Sequence, residues 1–136
     1  MTASHADAQA TNLEAVQRYA AAWQSGDRAA LADCYHDDFT LHYFGDNAFA
    51  GDHVGKQAAL TTLAKFSALT NRKLLSIVDV MAGPARATII ARESFERGGQ
   101  RAEFERVLVY TVRDGKLHEC WVLDGDRAGV DRFLAA

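Results

Sequence analysis

The stretch from Ala102 to Asp124, AEFERVLVYTVRDGKLHECWVLD, constrains the fold more than any other part of the chain. Asp114-Gly115 separates two β-prone runs and has the chemistry of a tight hairpin turn, where residues that tolerate positive φ are required. In the first strand Phe104, Arg106, Leu108, Tyr110 and Val112 fall on one face, with Val107, Val109 and Thr111 on the other. In the second, His118, Cys120, Val122 and Asp124 oppose Leu117, Glu119, Trp121 and Leu123. Both faces carry apolar residues, so the hairpin is expected inside a sheet covered on both sides.

The remaining chain is short enough to do little except cover that sheet. Its 136 residues suit one core, with residues 1–10 as a small, polar, flexible tail and 11–136 as a single domain. A net charge of -3 and the lack of a basic run argue against nucleic acid as a partner. No apolar run is long enough to cross a bilayer, and the start MTASHADAQATN has no signal-peptide pattern, so no membrane association is expected. Cys34 and Cys120, the two cysteines, have no metal-ligand spacing and read as reduced thiols of a cytoplasmic protein. No metal and no cofactor are implied.

Thr11 and Glu14 fit a capping box opening a helix with the stripe Leu13, Val16, Ala20 and Trp23, stopped by Gly26. Asp27 can cap a short second helix carrying Leu31, Cys34 and Tyr35. Phe39 to Phe44 alternates as a strand, and Gly45 to Gly55, rich in Gly, Asp and Asn, reads as a loop. Leu60, Leu63, Phe66 and Thr70 mark a third helix. Strands then follow at Lys73–Met81, Ala85–Arg97, Arg101–Arg113 and 116–124, before a terminal helix over Arg127 to Leu134 with Val130 and Phe133 inward. Helices first and a strand meander last predict an α+β fold with helices on one face of a curved sheet.

Four segments in this order carry a resemblance: YAAAWQSGD, LADCYHDDFTLHYFG, FAGDHVGKQAAL and VYTVRDGKLHECWVLDGDRAGVDRFL. Together they resemble the SnoaL-like branch of the nuclear transport factor 2-like superfamily, which includes polyketide cyclases and ketosteroid isomerases. The resemblance implies a cone: a strongly curved, mixed or antiparallel sheet around a hydrophobic cavity, with the N-terminal helices packed on its concave face. It also implies a homodimer formed through the sheet's outer face, and a small hydrophobic molecule as partner.

His42 lies where isomerases of this superfamily place a carboxylate base, and imidazole suits proton transfer near neutral pH. Alternation leaves two orientations open: His42 inward with Thr40 and Phe44, or Tyr43 inward with Leu41 and Phe39. A partly exposed strand histidine is the plainer reading. Asp124 ends the last strand at the expected mouth of the cone; it could support His42 or act as a base, although turn or cap duty is the simpler role. Asp126 suits the cap of the terminal helix. Catalytic candidates are therefore His42, Tyr43 and Asp124. The superfamily pattern gives Trp23, Tyr35, Phe44, Phe49, Leu108, Tyr110, Cys120 and Val122 as pocket candidates, with Tyr110 as the hydroxyl best placed to enter the cavity and core packing the plainer role for Trp23.

Two departures from the family pattern bear on chemistry. Leu108 aligns near the protonated aspartic acid of the steroid isomerases, and Cys120 and Val122 flank Trp121 where many cyclases carry His and Asp. Such a lining is apolar and suits binding better than proton abstraction. Cys120 reads as inert packing. Arg92, Glu93, Glu105 and Arg106 are expected to pair across strands on the open face. A buried Arg-carboxylate arrangement, of the kind seen in epoxide hydrolases of the superfamily, is the alternative, without an Asp-x-Arg pattern on these strands to support it. The expected function is a cofactor-independent isomerase, cyclase or dehydratase acting on a small hydrophobic metabolite. The alternatives are a non-catalytic binding protein with the same pocket and a dimeric scaffold.

Overall fold

Asp114 and Gly115 both take positive φ, 53° and 73°, and close the expected hairpin in the computed structural model, which describes residues 4–135. The elements are α1 (His5–Ser25), α2 (Arg28–Asp33), β1 (Tyr35–Tyr43), β2 (Gly51–Val54), α3 (Lys56–Thr70), β3 (Lys73–Ala82), β4 (Ala87–Arg97), β5 (Gln100–Arg113), β6 (Lys116–Asp124) and α4 (Arg127–Ala135). One six-stranded sheet runs β2-β1-β6-β5-β4-β3. All neighbours are antiparallel except β1 and β6, so the sheet is mixed. The architecture is the expected α+β arrangement.

Several boundaries differ from those read in the sequence, each for a physical reason. α1 begins at His5, not Thr11, because Ser4 caps it by accepting from the Asp7 N–H. Its early turns are also tied down: Gln9 donates to the Ala82 carbonyl, and buried Asn12 donates to the carbonyls of Gly83 and Pro84. Residues 1–3 lie outside the described residues. Tyr35 belongs to β1 rather than to the second helix, which ends at Asp33. The segment read as a loop contains β2, which borders β1 through the pairs Thr40–Val54 to Tyr43–Gly51.

The hairpin is covered on one face only. α1, α3 and α4 close the concave side over Phe39, Leu41, Ile89, Phe95, Leu108 and Leu117, all buried. The other face keeps Val107, Val109 and Trp121 half-buried and Leu123 exposed, with no helix or strand among the described residues packed over it. Register also shifts between Thr111 and Val112, so that Thr111 faces Glu119 and Val112 faces Leu117. This bulge turns Leu117 into the core with Cys120 and Val122, against the simple alternation that placed it beside Trp121. Further shifts in β3 and β1 add to the bending of the sheet.

Phe66 of α3 is the aromatic centre of the concave side, fully buried and packed edge-on against Phe49 and Phe95 and tilted against Tyr43. Phe66→Ala is expected to lower unfolding free energy by about 3–5 kcal/mol, since both transfer and cavity costs apply. Urea unfolding followed by circular dichroism measures this.

Candidate active site

Arg106 projects inward from the middle of β5 among aromatic rings, with only 2% of its side chain exposed. Its Nε donates to Asp124 Oδ1 at 2.7 Å, its Nη2 to the Tyr43 hydroxyl at 3.0 Å, and its Nη1 to Glu93 Oε1 at 3.5 Å. The Tyr43 hydroxyl in turn donates to Asp124 Oδ2 at 3.2 Å. The guanidinium lies 4.9 Å from the Phe66 ring centre and 5.5 Å from that of Phe95. Burial alone would lower the Arg106 pKa, but Glu93, Tyr43 and Asp124 outweigh it and keep the group charged. Burial raises Tyr43 well beyond an ordinary phenol, with Arg106 opposing only in part, so it remains a hydroxyl.

These positions correct two expectations. Glu93 and Arg106 lie on the covered face, not the open one, and pair diagonally across β4 and β5. Arg92 and Glu105 do face each other on the open side. Asp124 is not a turn or cap residue: its carboxylate is 1% exposed and consumed by Arg106 and Tyr43. Asp126 accepts from the Gly129 N–H at the start of α4.

Tyr43 and Arg106 face an inner chamber of about 30 Å³, roughly the room of one or two waters. Trp23, Tyr35, Leu108, Tyr110, Cys120 and Val122 line it as well. Tyr19, absent from the sequence-based candidates, joins them and shares a 2.6 Å hydrogen bond with the Tyr35 hydroxyl. Phe44 and Phe49 are not in this lining: Phe44 is 43% exposed beyond the end of β1, and Phe49 packs behind Phe66. Burial pushes Tyr19 and the Cys120 thiol up to about 12 and raises Tyr35 and Tyr110 well above the ordinary phenol value. The chamber thus presents hydrogen-bond donors and no histidine. Outside it, a groove of about 610 Å³ runs between α1, α2 and α3, and Tyr19, Trp23, Tyr35, Leu63 and Arg72 line both spaces.

The alternation in β1 resolves with Phe39, Leu41 and Tyr43 inward, which sends His42 to the outer face. The structure therefore separates His42 from Tyr43 and Asp124, and the three do not form one site. His42 stacks on Trp121 at 4.8 Å, while Arg86 sits 4.2 Å from the same indole. Its two ring nitrogens lie 2.7 Å from Asp52 and 2.9 Å from Glu119. Ionised carboxylates only accept, so the two contacts are both hydrogen bonds when both nitrogens donate, which favours the imidazolium form. Burial would lower the His42 pKa, but these two hydrogen bonds raise it above 6.5. The same contact lowers Glu119 below 4.5. Among the described residues, no group of three or more His, Cys, Asp or Glu is placed to hold a metal ion.

A family model described as a SnoaL-like domain matches residues 16–120. The chain belongs to the SnoaL-like domain family. Among solved structures, Bal32a from a soil-derived mobile gene cassette is 26% identical, with a TM-score of 0.83 over 93% of this chain and 98% of that one. A cystatin-like-fold protein from Xanthomonas campestris is 25% identical, with a TM-score of 0.82 over 90% and 97%. A candidate SnoaL-like polyketide cyclase from Jannaschia is 16% identical, with a TM-score of 0.75 over 99% of both chains. Among curated proteins, none matches this sequence. The SnoaL-like fold is of the nuclear transport factor 2-like, or cystatin-like, type.

In this SnoaL-like chain, sequence reasoning missed Arg106 and Glu93 as interior groups although their phase was visible. Arg106 alternates with Phe104, Leu108 and Tyr110, and Glu93 with Ala91 and Phe95, all buried. A charge in register with core residues was the signal.

The outer cluster gives a pH dependence with a definite sign. His42, raised, contributes stability that is full below its ordinary 6.5 and is lost as pH rises through the folded value. Glu119, lowered, contributes above 4.5 and loses its part as pH falls through its folded value. Thermal unfolding across pH is expected to show His42→Gln removing the alkaline loss, so that wild type and variant converge at high pH.

Proposed function

We propose that this protein is a cofactor-independent acid–base enzyme of the isomerase, cyclase or dehydratase kind, acting on a small hydrophobic metabolite in the cone. The observation that carries the reading is the Tyr43 hydroxyl at the chamber wall, held between Arg106 Nη2 at 3.0 Å and Asp124 Oδ2 at 3.2 Å. A buried guanidinium at the chamber wall stabilises negative charge that develops on a carbonyl oxygen. In this reading Tyr43 passes its proton to Asp124 as its oxygen takes one from the substrate, which leaves the proton on Asp124 and a charge stabilised by Arg106. His42 does not take part. In this reading the metabolite reaches Tyr43 through the groove, past the side chains that line both spaces, Trp23 and Leu63 among them.

A second reading, hydration of an epoxide, is favoured by one observation: Arg106 bridges two carboxylates beside a chamber of water size. It uses the same residues with water as the reactant. The protein is also proposed to be a homodimer through the outer face, where Leu123, Val78 and Met81 are exposed. Sedimentation velocity is expected to give a dimer, with Leu123→Arg shifting it to monomer. Cys34 and Cys120 are buried free thiols, which supports a reducing compartment such as the cytoplasm. Among the described residues, no helix is long and apolar enough to cross a membrane.

The test is proton exchange and turnover, followed by NMR in D₂O, over small apolar enones, β-hydroxy ketones and epoxides. Tyr43→Phe is expected to reduce the rate by about 10²–10⁴-fold with the fold intact, whereas His42→Ala leaves it within a few-fold. Equal rates for wild type and Tyr43→Phe would sink the catalytic reading.

A further inference from the structure

The groove between α1, α2 and α3 has an uncommon charge pattern for this chain, which carries 18 Asp and Glu against 15 Lys and Arg. Apart from two buried tyrosines, its ionisable lining residues are Arg28 and Arg72, with no carboxylate. Arg28 is exposed and has no ion-pair or hydrogen-bond partner among the described residues. Arg72 stands where groove and chamber meet, with its Nε fixed by Ser67 Oγ at 2.8 Å. Its Nη1 forms an ion pair with buried Glu93 Oε2 at 3.7 Å, too long for a hydrogen bond. That oxygen is buried and finds no donor at all. Arg72 therefore has an incomplete internal partner, and among the described residues its terminal nitrogens hydrogen-bond to no acceptor.

A planar guanidinium with free donors in a partly desolvated site is suited to a carboxylate or enolate, which it can hold through two parallel hydrogen bonds. The walls supply the other half of a recognition site: Trp23, Leu31, Leu60 and Leu63 are apolar, and about 610 Å³ accommodates a small molecule. We infer that the groove takes an amphipathic anion, an apolar ring or chain bearing one carboxylate or enolate, with its charged head on Arg72 and Arg28 and its apolar body along Trp23 and Leu63. This rests on the proposed function and narrows its substrate class. An anion on Arg28 and Arg72 holds the molecule at the mouth of the chamber that Tyr43 lines, so that binding energy gathered in the groove positions it there.

Isothermal titration with 2-naphthoate and its neutral counterpart 2-naphthamide tests the inference on the full chain. Naphthoate is expected to bind about tenfold more tightly. Arg28→Gln, at an exposed position, is expected to reduce that preference several-fold with an unchanged circular dichroism spectrum. Arg72→Gln should abolish it. Equal affinity for the two probes, no binding of either at millimolar concentration, or a preference that survives both substitutions would each overturn it. Failure here is separable from failure of the catalytic reading. Lost anion preference with Tyr43-dependent turnover intact removes this inference alone, and intact preference without turnover on any substrate removes only the chemistry.

Discussion

A cation buried under the sheet's concave face sets the terms for everything around it. Removing a guanidinium from water costs several kcal/mol, and only close, well-directed partners offset it. Arg106 has them on three strands besides its own: Tyr43 from β1, Glu93 from β4 and Asp124 from β6. The three must converge, so the relative placement of β1, β6, β5 and β4 is tied to one charge. The rings of Phe66 and Phe95 then close over it and exclude water. The parallel pairing of β1 with β6 belongs to the same requirement, because it carries Tyr43 alongside Val122 and brings its hydroxyl to Asp124.

Much of the fold was legible because it rests on local chemistry. Asp114-Gly115 marks its hairpin by backbone preference alone, and Leu60, Leu63, Phe66 and Thr70 mark α3 by spacing. The failures occur where tertiary contacts override local signals. The helix start in MTASHADAQA rests on the Ser4 cap, and Gln9 and the following Asn12 then tie α1 to the end of β3 and the β3–β4 turn. β2 has four residues, one of them glycine, and exists because β1 offers it an edge.

The site was half legible. Tyr43 and Asp124 were named, and the structure does bring them together, but through Arg106 rather than through His42. Alternation gave β1 two equally good phases, and only the packed core chooses between them. In β6 the bulge opposite Thr111 shifts Leu117 relative to Cys120, and a strict period of two cannot anticipate that. Apolar strand positions were read as core while charged ones were read as surface. That habit hid an arginine whose phase was that of its buried neighbours.

His42 and Tyr43 are consecutive in the chain yet belong to different worlds, one stacked on an indole at the outer surface and the other sealed beside a buried ion pair. The neighbouring strand β6 repeats this division, with Glu119 outside and Cys120 inside. Two polar networks thus share a backbone without sharing a side-chain contact. A substitution in one can leave the other intact. The thickness of a single peptide layer is enough to let surface and interior change independently.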